Sequence, residues 1–83
     1  MTDEELLLLV NHDPSKGIDV AMDTYGGAVL KICADILNGY RQEDIEEAVS
    51  DTFVNLWEAI TSKRYSGQTP VKFYLYGIAR RTA

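Results

Sequence analysis

Residues 44–60, DIEEAVSDTFVNLWEAI, place two different surfaces on one predicted helix. The apolar side chains recur at the three- and four-residue spacing of a single helical face, namely Ile45, Ala48, Val49, Thr52, Phe53, Leu56, Trp57 and Ile60. The opposite face carries acids with one apolar residue exposed among them: Asp44, Glu47, Asp51 and Glu58, with Val54. A face that meets only water has no need of Val54, so we interpret this outer surface as a candidate docking site.

The inner face of this helix is expected to be its anchor in a hydrophobic core. We predict that Phe53, Leu56 and Trp57 are core residues. If Trp57 is buried, its replacement by alanine costs about 3–5 kcal/mol of stability.

Length and composition restrict the class of protein. Eighty-three residues form one domain, near the lower size at which a core is stable without cross-links. The single cysteine, Cys33, excludes an internal disulfide and predicts a reducing, cytoplasmic setting. No signal peptide is evident, and the apolar run at residues 6–10 is too short to span a membrane, so no membrane partner is expected.

The net charge of −5 hides an asymmetry along the chain. Residues 1–62 carry thirteen acids and three cations, which gives 3 − 13 = −10, whereas residues 63–83 carry five cations and no acid. Half of the eight aromatic residues lie in that basic segment: Tyr65, Phe73, Tyr74 and Tyr76. This division indicates two surfaces with two partners, although a chance clustering of solvating charges is the alternative.

Capping signals and periodicity predict an all-α fold, a small bundle of about four helices. The expected helices span residues 3–11, 14–38, 42–61 and 70–83, with a polar loop at 62–69. Thr2 and Glu5 have capping-box spacing, and Thr69 followed by Pro70 predicts an N-cap and a first helical residue. The pattern still runs at Ala83, so we expect the last helix to be truncated.

Two features of the first half of the chain suggest close packing. The leucines from Leu6 to Leu9 fall on all sides of their helix, so they are either buried between neighbours or form a self-association surface. Gly26 and Gly27 interrupt the second helix, and close approach of a neighbouring helix is a sufficient reason to keep them there.

No catalytic, cofactor or metal-binding constellation is present in the sequence. His12 is the only histidine, and we interpret it as a loop residue, while Cys33 lies on an apolar stripe and is interpreted as a core residue. The loop and last helix instead interleave cations with aromatic rings, a combination typical of single-stranded nucleic-acid binding. The alternative is that Phe73 and Tyr76 pack against another part of the protein.

Taken in order, two motifs resemble a known family. The segment DIEEAVSDTFVNLW (44–57) followed by VKFYLYGIARR (71–81) resembles the second conserved region of bacterial sigma factors, especially the extracytoplasmic-function group. That pattern is D-x-E-D-x-x-Q-E-x-F-x-x-L-W, a variable loop, and W-L-Y-x-I-A-R-N. The upstream segment YGGAVLKICADILNG (25–39) also fits the helix that precedes these motifs in the family.

The resemblance implies a sigma region 2 domain, an all-helical module with no enzymatic activity. It implies docking on the clamp helices of the largest subunit of core RNA polymerase through Asp44, Glu47, Ser50, Asp51 and Val54. It also implies capture of the non-template strand of the promoter −10 element. Together with Lys72 from the cation pattern, the expected DNA-binding residues are Lys63, Arg64, Tyr65, Lys72, Tyr74, Tyr76, Arg80 and Arg81. An anti-sigma factor is a further candidate partner.

Three positions depart from the family pattern. Ser50 stands in place of glutamine, Tyr74 in place of tryptophan, and Arg81 in place of asparagine. Two alternative functions stay open: a helical protein-interaction module without a nucleic-acid role, and a fragment of a larger helical enzyme.

Overall fold

Four helices account for the secondary structure of residues 1–83, all of which the computed structural model describes. They are α1 (Asp3–His12), α2 (Pro14–Ile36), α3 (Gln42–Thr61) and α4 (Val71–Thr82), with no strand. The predicted all-α bundle is therefore confirmed. The predicted ends lie within two residues of the observed ones, the largest difference being at α2, which ends at Ile36 rather than residue 38.

The helix starts use different capping arrangements. Thr2 and Glu5 form the reciprocal capping box predicted for α1, and the carboxylate of Asp13 accepts a hydrogen bond from the Lys16 N–H at the start of α2. For α4, however, the prediction of Thr69 as N-cap is wrong. The N-cap is Pro70, without a side-chain cap of its own, and the Val71 N–H instead donates to the Asp3 carboxylate of α1 at 3.0 Å.

The core lies between the two long helices, α2 and α3, and is closed by α1 and α4. Its largest fully buried side chains are Tyr65, Phe53, Leu56, Ile60 and Leu75. Phe53 and Leu56 are thus core residues as predicted. The prediction for Trp57 is wrong, because the indole is 39% exposed at the edge of the apolar stripe, outside the arc of α3 that faces the core.

The glycines of α2 do not have the packing role that the sequence suggested. The helix runs without a break through Gly26 and Gly27, but no neighbouring atom lies within 4 Å of a Cβ built at either position. The close approach occurs at Gly17 instead. A Cβ there would lie 2.6–2.7 Å from side-chain and backbone atoms of Val10, so α1 and α2 cross in contact at this glycine.

The leucine run of α1 is mainly an internal contact. Leu6 is buried, Leu7 and Leu9 are half-buried, and Leu8 alone is exposed, at 64%. A self-association surface would therefore rest on a single leucine of the four. None of the four helices combines the length and the apolar character needed to cross a membrane.

Candidate nucleic-acid and protein interface

The outer face of α3 presents the predicted docking residues side by side. Glu47, Ser50, Asp51 and Val54 are exposed, while Asp44 is half-buried and lies 3.8 Å from the Arg41 guanidinium. Val54 is 47% exposed, which agrees with its predicted position among the acids. The face therefore combines negative charge with an apolar side chain that is free to make a contact.

An apolar groove adjoins this face on the side of α2. It has a volume of about 480 Å³ and is lined by Pro14, Ser15, Ile18, Met22, Ser50, Phe53, Val54 and Trp57. Met22 is 42% exposed, so together with Val54 and Trp57 it forms a continuous apolar surface. The groove was not predicted from the sequence, because Trp57 was expected to lie in the core, and its large exposed ring identifies the groove in the structure.

A second groove, here called the mixed-charge groove, separates α3 from α4. It has a volume of about 530 Å³ and is lined by Asp51, Val54, Asn55, Glu58, Ala59, Arg64, Tyr74, Ile78, Arg81 and Thr82. The structure thus brings together residues that were predicted to belong to two separate contacts. Asp51 and Val54 were assigned to the docking face, and Arg64, Tyr74 and Arg81 to the DNA-binding surface.

The α3–α4 loop (residues 62–70) is held by its own polar side chains. Gln68 accepts a hydrogen bond from the Ser66 N–H at 2.8 Å and donates to the Arg64 carbonyl at 3.5 Å. Lys63 adopts a positive φ of 67°, an uncommon conformation for a residue with a Cβ, and its ammonium donates to the Asn11 side chain at 2.9 Å. Lys63 and Arg64 are exposed, so both charges lie at the surface.

Tyr65 does not lie where a nucleic-acid base could reach it. It is 2% exposed, its ring stacks on Tyr74 with centroids 4.1 Å apart, and its hydroxyl donates to the Thr69 carbonyl. Burial raises the pKa of the Tyr65 phenol, and the nearby charge of Asp3 adds to that shift. In this conformation Tyr65 is a core residue. Its contact with DNA stays a prediction, and it would require the ring to leave this buried position.

The outer side of α4 carries the remaining predicted nucleic-acid residues. Lys72 and Arg80 are exposed and Tyr76 is half-buried, while Arg81 is exposed at the mixed-charge groove. Phe73, which the prediction of DNA-binding residues omitted, is 59% exposed, and the Lys72 ammonium lies 5.1 Å from its ring centroid. An exposed ring beside a cation suits single-stranded nucleic acid, because a base can stack on the ring and the cation can contact a phosphate.

The chain contains no group of three or more histidine, cysteine or acidic side chains placed to hold a metal ion. Cys33 is fully buried, and desolvation raises the pKa of its thiol above the ordinary value. A buried thiol of this kind is a packing residue rather than a nucleophile.

Comparison with known proteins gives one match. The sequence model of the sigma-70 region 2 family matches residues 21–83, about three quarters of the chain. The match covers α3, the loop and α4 completely but excludes α1 and the start of α2. No curated protein and no solved structure matches the chain.

Proposed function

The chain belongs to the sigma-70 region 2 family, and from this membership we propose that it docks on core RNA polymerase and holds the promoter −10 element during transcription initiation. Region 2 is a non-enzymatic domain with a role in polymerase binding and promoter recognition, so the interpretation as an enzyme fragment is set aside. The family match is the observation that carries the proposal. The order of the two motifs further favours the bacterial extracytoplasmic-function group, acting in the cytoplasm.

The docking contact is assigned to the outer face of α3 and its apolar groove. Glu47 and Asp51 offer carboxylates, while Val54 and Trp57 offer apolar area that is exposed in the free domain. A partner that carries both cations and apolar side chains can pair with these carboxylates and cover this apolar area in one contact. We assign the clamp helices of the largest polymerase subunit to this role, with Ser50 at the rim of the apolar groove in place of the family glutamine.

The docking assignment is tested with an isolated clamp-helix fragment and a set of matched variants. We expect Val54→Ala and Asp51→Arg to weaken binding, by about fivefold or more for the charge reversal. Leu30→Ala and Asp35→Arg, at exposed positions elsewhere on α2, are the controls and should bind like the unmodified chain. Equal affinity across all five proteins would contradict the assignment of the clamp-helix contact to the outer face of α3.

The promoter contact is assigned to the loop and the outer side of α4. Arg64, Lys72, Arg80 and Arg81 supply exposed charge for phosphates, and Phe73 supplies an exposed ring for stacking. Tyr74 faces the mixed-charge groove with part of its ring, in place of the family tryptophan. Arg81 replaces the family asparagine, which exchanges base-edge hydrogen bonding for charge. An anti-sigma factor that covered either surface would block the contact with polymerase or the contact with the promoter.

A further inference from the structure

The first helix makes three separate contacts with the segment that leads into α4. The Asp3 carboxylate accepts the Val71 N–H, the Asn11 side chain accepts a hydrogen bond from the Lys63 ammonium, and Leu7 packs against Gly67, 3.4 Å from a Cβ built there. These contacts lie at both ends and in the middle of α1. The helix therefore lies along the whole α3–α4 loop rather than touching it at one point.

Each contact supplies something that the loop lacks by itself. Pro70 has no N–H and provides no side-chain cap, so the first donor of α4 is satisfied by α1. Lys63 has a positive φ, so its backbone conformation is less favourable than that of an ordinary turn residue and benefits from an external partner. Gly67, with a φ of 100°, gives Leu7 room to approach.

The same contacts enclose Tyr65. Its ring is covered on one side by Tyr74 and borders a shallow pocket between α1 and the loop, lined by Glu4, Leu7, Leu8, Asn11, Ile60, Lys63, Tyr65 and Ser66. The acids Asp3, Glu4 and Glu5 on the first turn of α1 also place negative charge beside the most basic part of the chain. In this closed form Tyr65 is buried and Lys63 is engaged with Asn11.

We propose that α1 is an inhibitory strap, which holds the α3–α4 loop closed over Tyr65 and must release it before the loop can capture a single strand. Release exposes an aromatic ring and frees an ammonium group, the two chemical groups that a single-stranded nucleic acid binds. Residues 1–20 lie outside the family match, which begins within α2. The consequence for strand capture rests on the proposed function, whereas the strap itself does not.

The strap is tested by removing its polar contacts while keeping its apolar anchors. The double variant Asp3→Ala/Asn11→Ala retains the buried Leu6 and Val10, which deletion of α1 would remove together with part of the core. The control, Asp23→Ala/His12→Ala, loses the same formal charge at exposed positions that make no hydrogen bond to the loop. Circular dichroism and a thermal melt establish that both proteins are folded.

The first measurement is nitration of Tyr65, mapped by peptide mass spectrometry, with the exposed Tyr40 as internal reference. We expect the Tyr65 rate to rise by about tenfold or more in the strap variant, because two charge-assisted hydrogen bonds that favour the closed loop are lost, and to stay unchanged in the control. Continued protection of Tyr65 from nitration in the folded strap variant would show that these contacts of α1 do not hold the loop closed.

The second measurement is the affinity for a fluorescent single-stranded oligonucleotide. Tighter binding by the strap variant than by both the control and the unmodified chain supports an inhibitory strap. Exposure of Tyr65 with unchanged, measurable oligonucleotide binding overturns the inhibitory role. If no protein in the set binds the oligonucleotide, the promoter contact fails, and with it the inhibition of strand capture, while the nitration result still decides whether the strap exists.

Discussion

At the scale of single residues, Trp57 shows how an apolar stripe differs from a core. The stripe on α3 is wider than the surface that its neighbours cover, so not every apolar residue of the stripe is buried. Phe53 and Leu56 lie at the centre and are at most 2% exposed, whereas Trp57 is 39% exposed and lines the apolar groove. A large exposed ring next to Val54 is better explained by a contact with a partner than by stability.

This difference predicts losses of stability of different size for two aromatic substitutions on α3. Phe53→Ala should lower the free energy of unfolding by about 3–5 kcal/mol, because it removes a buried ring. Trp57→Ala should cost less than about 2 kcal/mol, because much of the indole is already in water. Urea denaturation measures both, and the clamp-helix assay should rank Trp57→Ala among the weakest binders. A stability loss at Trp57 equal to that at Phe53 would contradict the observed position of the ring.

The phenol groups of two tyrosines predict a loss of stability at alkaline pH. Burial raises the pKa values of Tyr65 and Tyr25 above the ordinary tyrosine value near 10. The folded state therefore holds these protons more tightly than the unfolded chain, so their contribution is complete below pH 10 and is lost as pH rises through the raised values. The urea midpoint should fall over that range. Tyr65→Phe should flatten the decline, while Tyr40→Phe, at an exposed ring, should not.

At the scale of elements, the glycines of α2 separate a packing role from a neutral one. Gly27→Ala should stabilise the chain by up to about 1 kcal/mol, because alanine favours the helix and the new methyl group meets no atom. Gly17→Ala should destabilise it by about 1–3 kcal/mol, because the methyl group would overlap the backbone of Val10. Thermal unfolding distinguishes the two. Stabilisation by both substitutions would mean that α1 moves away from α2 at little cost.

Helix positions could be predicted from the sequence, whereas contacts between distant segments could not. Capping residues and apolar spacing act within one or two turns, which is why the four helices are found within two residues of their predicted ends. The cap of α4 comes from Asp3, 68 positions away, so no local pattern at Thr69 could indicate it. Tyr65 was missed as a core residue for the same reason, since Tyr74 and α1, which cover it, are brought there by the tertiary fold.

At the scale of the whole molecule, the acidic and basic parts of the sequence do not form two separate surfaces. Side chains from both parts line the mixed-charge groove. The bundle measures 38 × 22 × 21 Å, and the loop with its two cations directly follows α3, which carries five exposed acids. Arg64 and Arg81 line the same groove as Asp51 and Glu58, yet none of these acids forms an ion pair with either arginine. These charges are therefore available to partners, and neutralising the acids by docking would strengthen the field that attracts phosphates.

This arrangement predicts that strand binding depends on salt through a few identifiable cations. The affinity for a single-stranded oligonucleotide should fall as salt rises, with a log–log slope of about −0.7 for each phosphate contact. Arg81→Gln should reduce the magnitude of that slope by about 0.7, because it removes one contact. Lys31→Gln, which removes a cation paired with Asp35 on α2, gives the same net charge and should leave the slope unchanged. An equal effect of the two substitutions would show that only net charge matters, and salt-independent binding would exclude phosphate contacts altogether.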